Sequence, residues 1–532
     1  MVLLFALFGC NPSAEKASEN TNCETPWTEL QKEQPVDLAT NGLDATEEDA
    51  ARSLSADLLQ ENYSWMVFWK KQQSNEYVVR TKSQEYSFVA EGNNFVWDTD
   101  FPLSQDEMLL SSLIEEQHSG ENPNNTYIDG HDSTDISFFP PTQTSFPFLA
   151  ERIAQLFDGT NAPDIGYLIH PYARGGVGSH GGMSVLQSRA PLSFYGPGIR
   201  GGKIDAAAKV VDIAPTIAAL LGVNPTDGIY KNHLASNLML KWQDGDVLTQ
   251  ALTDCAYGKA EYAVTIIFDG ANHNAVTAAL ENGDMPNLSK IVNSDAAIFQ
   301  GGAIVGWPSY SLPGHISIHT GVYQGHHGMY SNQFWDRERQ TLAPTDQGLI
   351  ALLLPSNAQL VIEVMEKYLN PDIETLFEAV ARTFPDTETA SINELVFRGA
   401  SWCNFCTSTQ QRNLLTYETA DQWAIVQAQE MIAEIAPPKY LAISFYLTDG
   451  AGERYGPQAE LTRQALIDTD ERLGGLLALY EEYGIFDQTA FVFTSDHGME
   501  LQDTTRVHSA NVLDSHPVKR IGQLLYLDDE IE

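Results

Sequence analysis

Three apolar runs of this chain each end in an acid. Tyr262 to Phe268 (YAVTIIF) leads into Asp269-Gly270, Tyr440 to Thr448 (YLAISFYLT) into Asp449-Gly450, and Ala490 to Ser495 (AFVFTS) into Asp496-His497-Gly498. Runs of this kind, alternating with helical stretches, read as buried strands of a parallel sheet, and ligands bind beyond the carboxyl ends of such strands. Carboxylates gathered there repel one another and lose hydration, so they need a cation. Oxygen donors mixed with an imidazole suit zinc or a similar divalent ion. One strand-end Asp would read as a helix cap, but three, one followed by His, point to a site. A nucleophile candidate lies in Trp307-Pro-Ser309-Tyr-Ser311-Leu-Pro313-Gly-His315. A serine flanked by Pro and Gly at a helix start can stand exposed, where a bound metal ionises its hydroxyl.

The elements that must position these residues follow from periodicity. Residues 146–158 (FPFLAERIAQLFD) have helical spacing, and Ile165 to Ile169 is a short apolar strand. A glycine-rich loop, Gly175 to Gly182, precedes a strand and turn in Ala190 to Gly198. Residues 212–222 (DIAPTIAALLG) form a helix with Pro near its start and Gly at its end. Residues 460–482 form a long helix, and short β-like runs occur at Tyr77-Val78-Val79 and Tyr86 to Val89. Strands alternating with helices predict an α/β fold, a mostly parallel sheet sandwiched by helices.

In its second half the chain resembles the alkaline phosphatase superfamily, most closely the type I phosphodiesterase/nucleotide pyrophosphatase branch. The resembling segments are IIFDG (266–270), MPNLSKI (285–291), PSYSLPGHISIHTGVYQGHHGMYSN (308–332), YLTDGAGERYGP (446–457) and TSDHGM (494–499). The resemblance implies that Ser311 is the nucleophile and that Asn332 contacts phosphate. It implies two divalent metal ions, zinc by preference: one held by Asp269, Asp496, His497 and Ser311, the other by Asp449, the residue four later and a His. That later residue is Glu453, where the family carries His, so the expectation is a site with one more negative charge, with loss of that metal as the alternative. The family's glycine-rich segment with its closing His is not downstream; it reads GVGSHGGMSVLQSRAPLSFYGPGI (176–199), followed by VVDIAPTIAALLGV (210–223). The segment order therefore reads as circularly permuted, with His180 as the missing ligand, supplied within one chain or, in the rival reading, by a swapped homodimer. His315 is placed to orient the serine, and the other histidines of 319–327 read as packing.

The expected organisation is a lipoprotein signal at 1–10, a polar tether at 11–57, and the C-terminal portion of the fold placed first at 58–225. A connector at 226–258 leads to the N-terminal catalytic portion at 259–532, with a cap-like insertion at about 335–438. Leu7-Phe8-Gly9-Cys10 resembles a bacterial lipobox, which implies lipidation of Cys10 and export to the cell envelope. Of the remaining cysteines, Cys23, Cys255, Cys403 and Cys406, an even number suits disulfides in an exported protein. Thirty Lys and Arg against 71 Asp and Glu give a net charge of −41, which excludes nucleic-acid polymers as partners and leaves a small phosphoester substrate. Membrane contact is expected only through the N-terminal lipid. The function expected is hydrolysis of phosphodiester or pyrophosphate bonds through a phosphoseryl intermediate. The alternatives are a phosphomonoesterase on the same scaffold and a catalytically impaired binding lipoprotein.

Overall fold

A computed structural model describes residues 25–99, 145–343, 366–404, 417–503 and 512–527, without positions 37, 39 and 93, together with the two-residue strand Ser104–Gln105. Cys10, Cys23, Cys406 and His508 lie outside the described residues.

The protein is mixed α/β. Five strands run parallel in the order Thr489–Thr494, Tyr262–Phe268, Tyr440–Phe445, Thr389–Ile392 and Trp402–Cys403. The first three are buried along their whole length apart from half-buried Tyr262, because apolar side chains leave both faces. Val264, Ile266 and Phe268 pack with Ile425, Leu473, Leu477 and Tyr480, from the helices Tyr417–Glu434 and Glu460–Glu482. Ala263 and Ile267 face the opposite way, toward Ile217 and Leu221 of the helix Ile213–Leu221 and Ile316 of the helix Ser311–Thr320. Beyond Thr489–Thr494 the sheet continues with Arg189–Tyr195, antiparallel to it and to the next strand, Ala297–Ile304. The early part of the chain thus supplies an interior strand and a covering helix to the sheet that carries the three acids.

A second sheet of seven antiparallel strands runs in the order Val518–Ile521, Leu524–Leu527, Ile165–Ile169, Ser64–Lys70, Glu76–Thr81, Glu85–Glu91 and Asn94–Trp97. Its second and third strands join residues far apart in sequence, so both ends of the described chain meet in one layer.

Several segments carry more structure than their composition suggests. Residues 45–58, within the expected tether, form a helix started by an Asp44–Glu47 capping box and anchored by Ala51, Leu54 and Leu58. These apolar residues are few but fall at helical spacing, which suffices to bury one face. The expected connector at 226–258 holds a hairpin, Thr226–Tyr230 with His233–Leu238, whose sheet also takes in Gln31–Pro35. Within 335–438, Thr389–Ile392 joins the main sheet beside Tyr440–Phe445 and the helix Tyr417–Glu434 covers it, so this stretch does not serve only as a cap. Cys255 and Cys403 each take part in a disulfide. Among the described residues no helix is long and apolar enough to cross a membrane.

One buried ion cluster ties these parts together. His326 Nδ1 lies 2.6 Å from Asp244 Oδ2 and its Nε2 3.0 Å from Asp158 Oδ2, with the Trp242 ring against the imidazole. Burial opposes its charge, but the two carboxylates outweigh burial and raise its pKa to about 10 from 6.5. A raised folded pKa adds stability that is complete below about pH 6.5 and disappears as pH climbs through 10. His326→Gln should therefore melt well below the wild type at pH 6, and the gap should close by pH 10. A gap of equal size at both pH values, read by thermal unfolding, would contradict the charged sandwich.

Candidate functional site

The three strand-end acids converge as their spacing requires. Tyr262–Phe268 lies between Tyr440–Phe445 and Thr489–Thr494 in register, so Asp269, Asp449 and Asp496 leave adjacent strands at the same edge. Asp269 and Asp496 are buried and Asp449 is nearly so, and each keeps one buried oxygen without a hydrogen-bond partner: Asp269 Oδ1, Asp449 Oδ1 and Asp496 Oδ2. The other oxygens of two of them are occupied. Asp496 Oδ1 accepts from the Gly270 N–H at 2.9 Å, and Asp269 Oδ2 meets His315 Nε2 at 3.4 Å. Gly270 has φ +63°, and a Cβ there would stand 2.5 Å from Asp449 Oδ1, so only glycine lets these acids approach so closely.

His497 Nε2 sits at the middle of the group. It lies 3.2 Å from Asp496 Oδ2, 3.7 Å from Asp269 Oδ1, 4.0 Å from Asp449 Oδ1 and 3.2 Å from Ser311 Oγ. Donors on one tetrahedral zinc stand about 3.3 Å apart when each bond is about 2.0–2.1 Å long. Asp496, Ser311 and Asp269 lie 3.2–3.7 Å from His497 Nε2, close to that spacing.

His180 comes from the glycine-rich loop at the front of the chain and stacks on His497, with ring centroids 3.7 Å apart and planes 6° from parallel. Its Nε2 lies 3.4 Å from Glu453 Oε1 and 4.0 Å from Asp449 Oδ1. Asp449 and Glu453 share a face of the helix Leu447–Tyr455, one turn apart. In both histidines Nδ1 faces a backbone carbonyl, Ser309 at 3.3 Å and Gly498 at 3.0 Å, so donation there leaves each Nε2 lone pair directed into the site. The buried sets that can hold a metal by mutual distance are His180, Asp449 and His497, and Asp269, His315 and Asp496. All seven ligand positions expected from the sequence lie at one sheet edge, with His497 Nε2 within 4.0 Å of Asp269, Asp449 and Asp496.

The electrostatics are those of anions crowded without enough positive charge. Burial first, and then the charge of Asp496, pushes Asp269 up to about 8. Burial and the Asp269 charge raise Asp449 well above the usual carboxylate range. Burial lowers His497 to about 4, whereas His180 in its protonated form donates to Glu453 and holds it below the usual carboxylate range. A cation among these groups would reverse the penalty on the two acids.

Ser311 opens the ten-residue helix Ser311–Thr320, so its hydroxyl lies at the positive end of the helix dipole. Asn332 Oδ1 accepts from the Leu312 N–H at 3.0 Å, beside the serine. That leaves Asn332 Nδ2 as a donor with no partner among the described residues. His315 does not orient the serine, contrary to the expectation from the sequence. It lies one helical turn on and points instead to Asp269, Asp496 and Glu394. His319 and His327 are fully buried, and His516 pairs with Asp57 at 3.0 Å, away from the site. Glu394 was not among the candidates; its position after a four-residue strand left no pattern to read.

Residues 263–519 match the family described as type I phosphodiesterase / nucleotide pyrophosphatase. The chain is 22% identical over 230 residues to bis(5'-adenosyl)-triphosphatase ENPP4 of Bos taurus, covering 43% of this chain and 46% of the relative. The Mus musculus protein of the same name is 21% identical over 223 residues, covering 41% and 44%. The chain therefore matches these curated relatives over about half their length. Among solved structures, murine ectonucleotide pyrophosphatase / phosphodiesterase 5 shares 14% identity at a TM-score of 0.36, covering 48% of this chain and 63% of that one. Phosphonoacetate hydrolase from Sinorhizobium meliloti 1021 in complex with phosphonoformate shares 16% identity at a TM-score of 0.30, covering 45% and 57%.

The serine helix is pressed against the Asp-His turn, since a Cβ on Gly314 would stand 2.3 Å from the Asp496 carbonyl oxygen. Gly314→Ala should cost about 1–3 kcal/mol through overpacking. Gly475→Ala, within the long helix and meeting only Ile425 Cγ2 at 3.3 Å, should be neutral or stabilising. Denaturant unfolding of both variants measures this, and equal midpoints would contradict the tight contact.

Proposed function

We propose that this chain, whose residues 263–519 match the type I phosphodiesterase / nucleotide pyrophosphatase family, hydrolyses phosphoric esters as an alkaline phosphatase-superfamily protein, with Ser311 as nucleophile. The observation that carries this reading is the convergence of three unpartnered buried carboxylate oxygens with Ser311 Oγ on His497 Nε2.

Asp269, Ser311, Asp496 and His497 would hold one divalent ion, and Asp449, Glu453 and His180 the other. Bound there, the pair would supply the positive charge that lowers the Ser311 hydroxyl pKa and offsets charge on the phosphoryl oxygens. The rest falls to the chain itself. Ser311 Oγ attacks phosphorus, forming a seryl O–P bond as the bond to the leaving oxygen breaks. Water then cleaves the phosphoseryl ester and restores the hydroxyl. Asn332 Nδ2 is free to donate to an equatorial phosphoryl oxygen, its carbonyl being fixed by the Leu312 N–H. The helix N-terminus favours the negative charge that builds up beside it.

Charge supports diesters or pyrophosphates over monoesters. Asp269, Asp449, Asp496 and Glu453 bring four negative charges, which two divalent ions just balance. A neutral centre forfeits attraction for a dianionic monoester, though one charge has a modest effect at an effective dielectric of about 20. His180 reaches the site from its own chain, which favours closure of a permuted fold without a swapped partner. The disulfides at Cys255 and Cys403 favour an exported, oxidising location.

Zinc-reconstituted protein should cleave a nitrophenyl phosphodiester faster than the matching monoester. Ser311→Ala should lower the rate at least about a thousandfold. Asn332→Ala should lower kcat by about a hundredfold, the scale of losing one donor to a developing oxyanion. Wild-type activity in Ser311→Ala would overturn the assignment of the nucleophile, and faster monoester cleavage would make the protein a phosphatase.

A further inference from the structure

Beneath the acids lies a side-chain cluster that the chemistry above does not use. Glu394 is fully buried and follows Asn393, which adopts φ +50°. Asn393 is locked in that conformation by its neighbours: its N–H donates to Asn404 Oδ1, its Nδ2 to the Ala420 carbonyl, and its own carbonyl accepts from Tyr446 Oη. The turn sends the Glu394 side chain under the sheet edge. There Ser444 Oγ donates to Glu394 Oε2 at 2.6 Å and the Val396 N–H to Oε1 at 3.2 Å. His315 Nδ1 lies 2.9 Å from both carboxylate oxygens, and His319 Nε2 lies 3.4 Å from Oε2.

His315 and His319 are one turn apart on the helix that begins with Ser311, so Glu394 meets that helix at two points, by a hydrogen bond to His315 and a looser approach to His319. The first grip carries through the imidazole. With Nδ1 directed at Glu394, His315 Nε2 faces Asp269 Oδ2 at 3.4 Å and Asp496 Oδ2 at 3.7 Å. Asp269 thus has one oxygen engaged from below, while its unpartnered Oδ1 points toward His497.

We infer that Glu394 is a positioning residue for the metal-binding half made by Asp269, Ser311, Asp496 and His497. It acts through His315 to fix the rotamer of Asp269 and, through both histidines, the seat of the serine helix. Among the described residues no hydrogen bond or ion pair joins Glu394 to Asp449, Glu453 or His180, so the other half should not feel its loss. This inference rests on the two-metal reading above. Partners of metal ligands commonly change metal affinity by about 10–100-fold when removed.

Zinc affinities measured by chelator competition on purified protein test it, with the melting temperature of the metal-free protein followed alongside. Wild type should show two zinc sites. Glu394→Ala should weaken one of them about 10–100-fold and leave the other unchanged. Glu394→Gln, which keeps an acceptor for His315, should fall between, and it carries the test if the alanine variant does not fold. Unchanged affinity at both sites in a folded variant overturns the inference alone, as does equal weakening of both sites, the mark of a merely structural role. A wild-type protein that binds no zinc overturns the two-metal reading and this inference with it.

Discussion

Asp269, Asp449 and Asp496 are out of water, adjacent, and each left with one oxygen that nothing in the described protein satisfies. Charges so placed repel strongly, and burial without partners costs each several kcal/mol. A fold accepts such a cost where a ligand relieves it, and here the relief has a defined centre. The orphan oxygens face the Nε2 atoms of His180 and His497, whose Nδ1 atoms face backbone carbonyls. Much of the surrounding architecture serves to hold that arrangement against its own repulsion.

The parallel strands set the acids in register, and Gly270 leaves out a side chain that would press on Asp449. The early part of the chain contributes His180, an interior strand of the main sheet and a helix on its face. That part is therefore integral to the layer that carries the three acids, and the candidate site would be incomplete without it. Below, Glu394 and two histidines tie the helix that begins with Ser311 to Asp269.

Legibility in the sequence tracked how local each signal is. Asp269, Asp449 and Asp496 stood out because strands buried on both faces must be written as unbroken apolar runs. Ser311 and Asn332 showed through the turn residues around them and the resemblance those carry, and His180 through its glycine-rich loop. Glu394 left no such trace. Its partners His315 and Ser444 are 79 and 50 residues away in sequence, and the strand before it has four residues, too few to display a period. His315 was visible but misread, since its direction depends on that distant partner. The helix at 45–58 was masked by its charges, because only three well-spaced apolar residues anchor it. The insertion of Arg189–Tyr195 between Ala297–Ile304 and Thr489–Thr494 is a matter of pairing between distant segments, which no local pattern records.

The central claim is that the crowded carboxylates form a two-cation centre completed by His180. Elemental analysis of the full chain after zinc reconstitution and removal of free metal tests it directly, alongside His180→Ala. The account predicts two zinc ions per wild-type chain and the loss of one from the variant. A wild-type chain that retains no zinc, or a His180→Ala variant that keeps two, would contradict it.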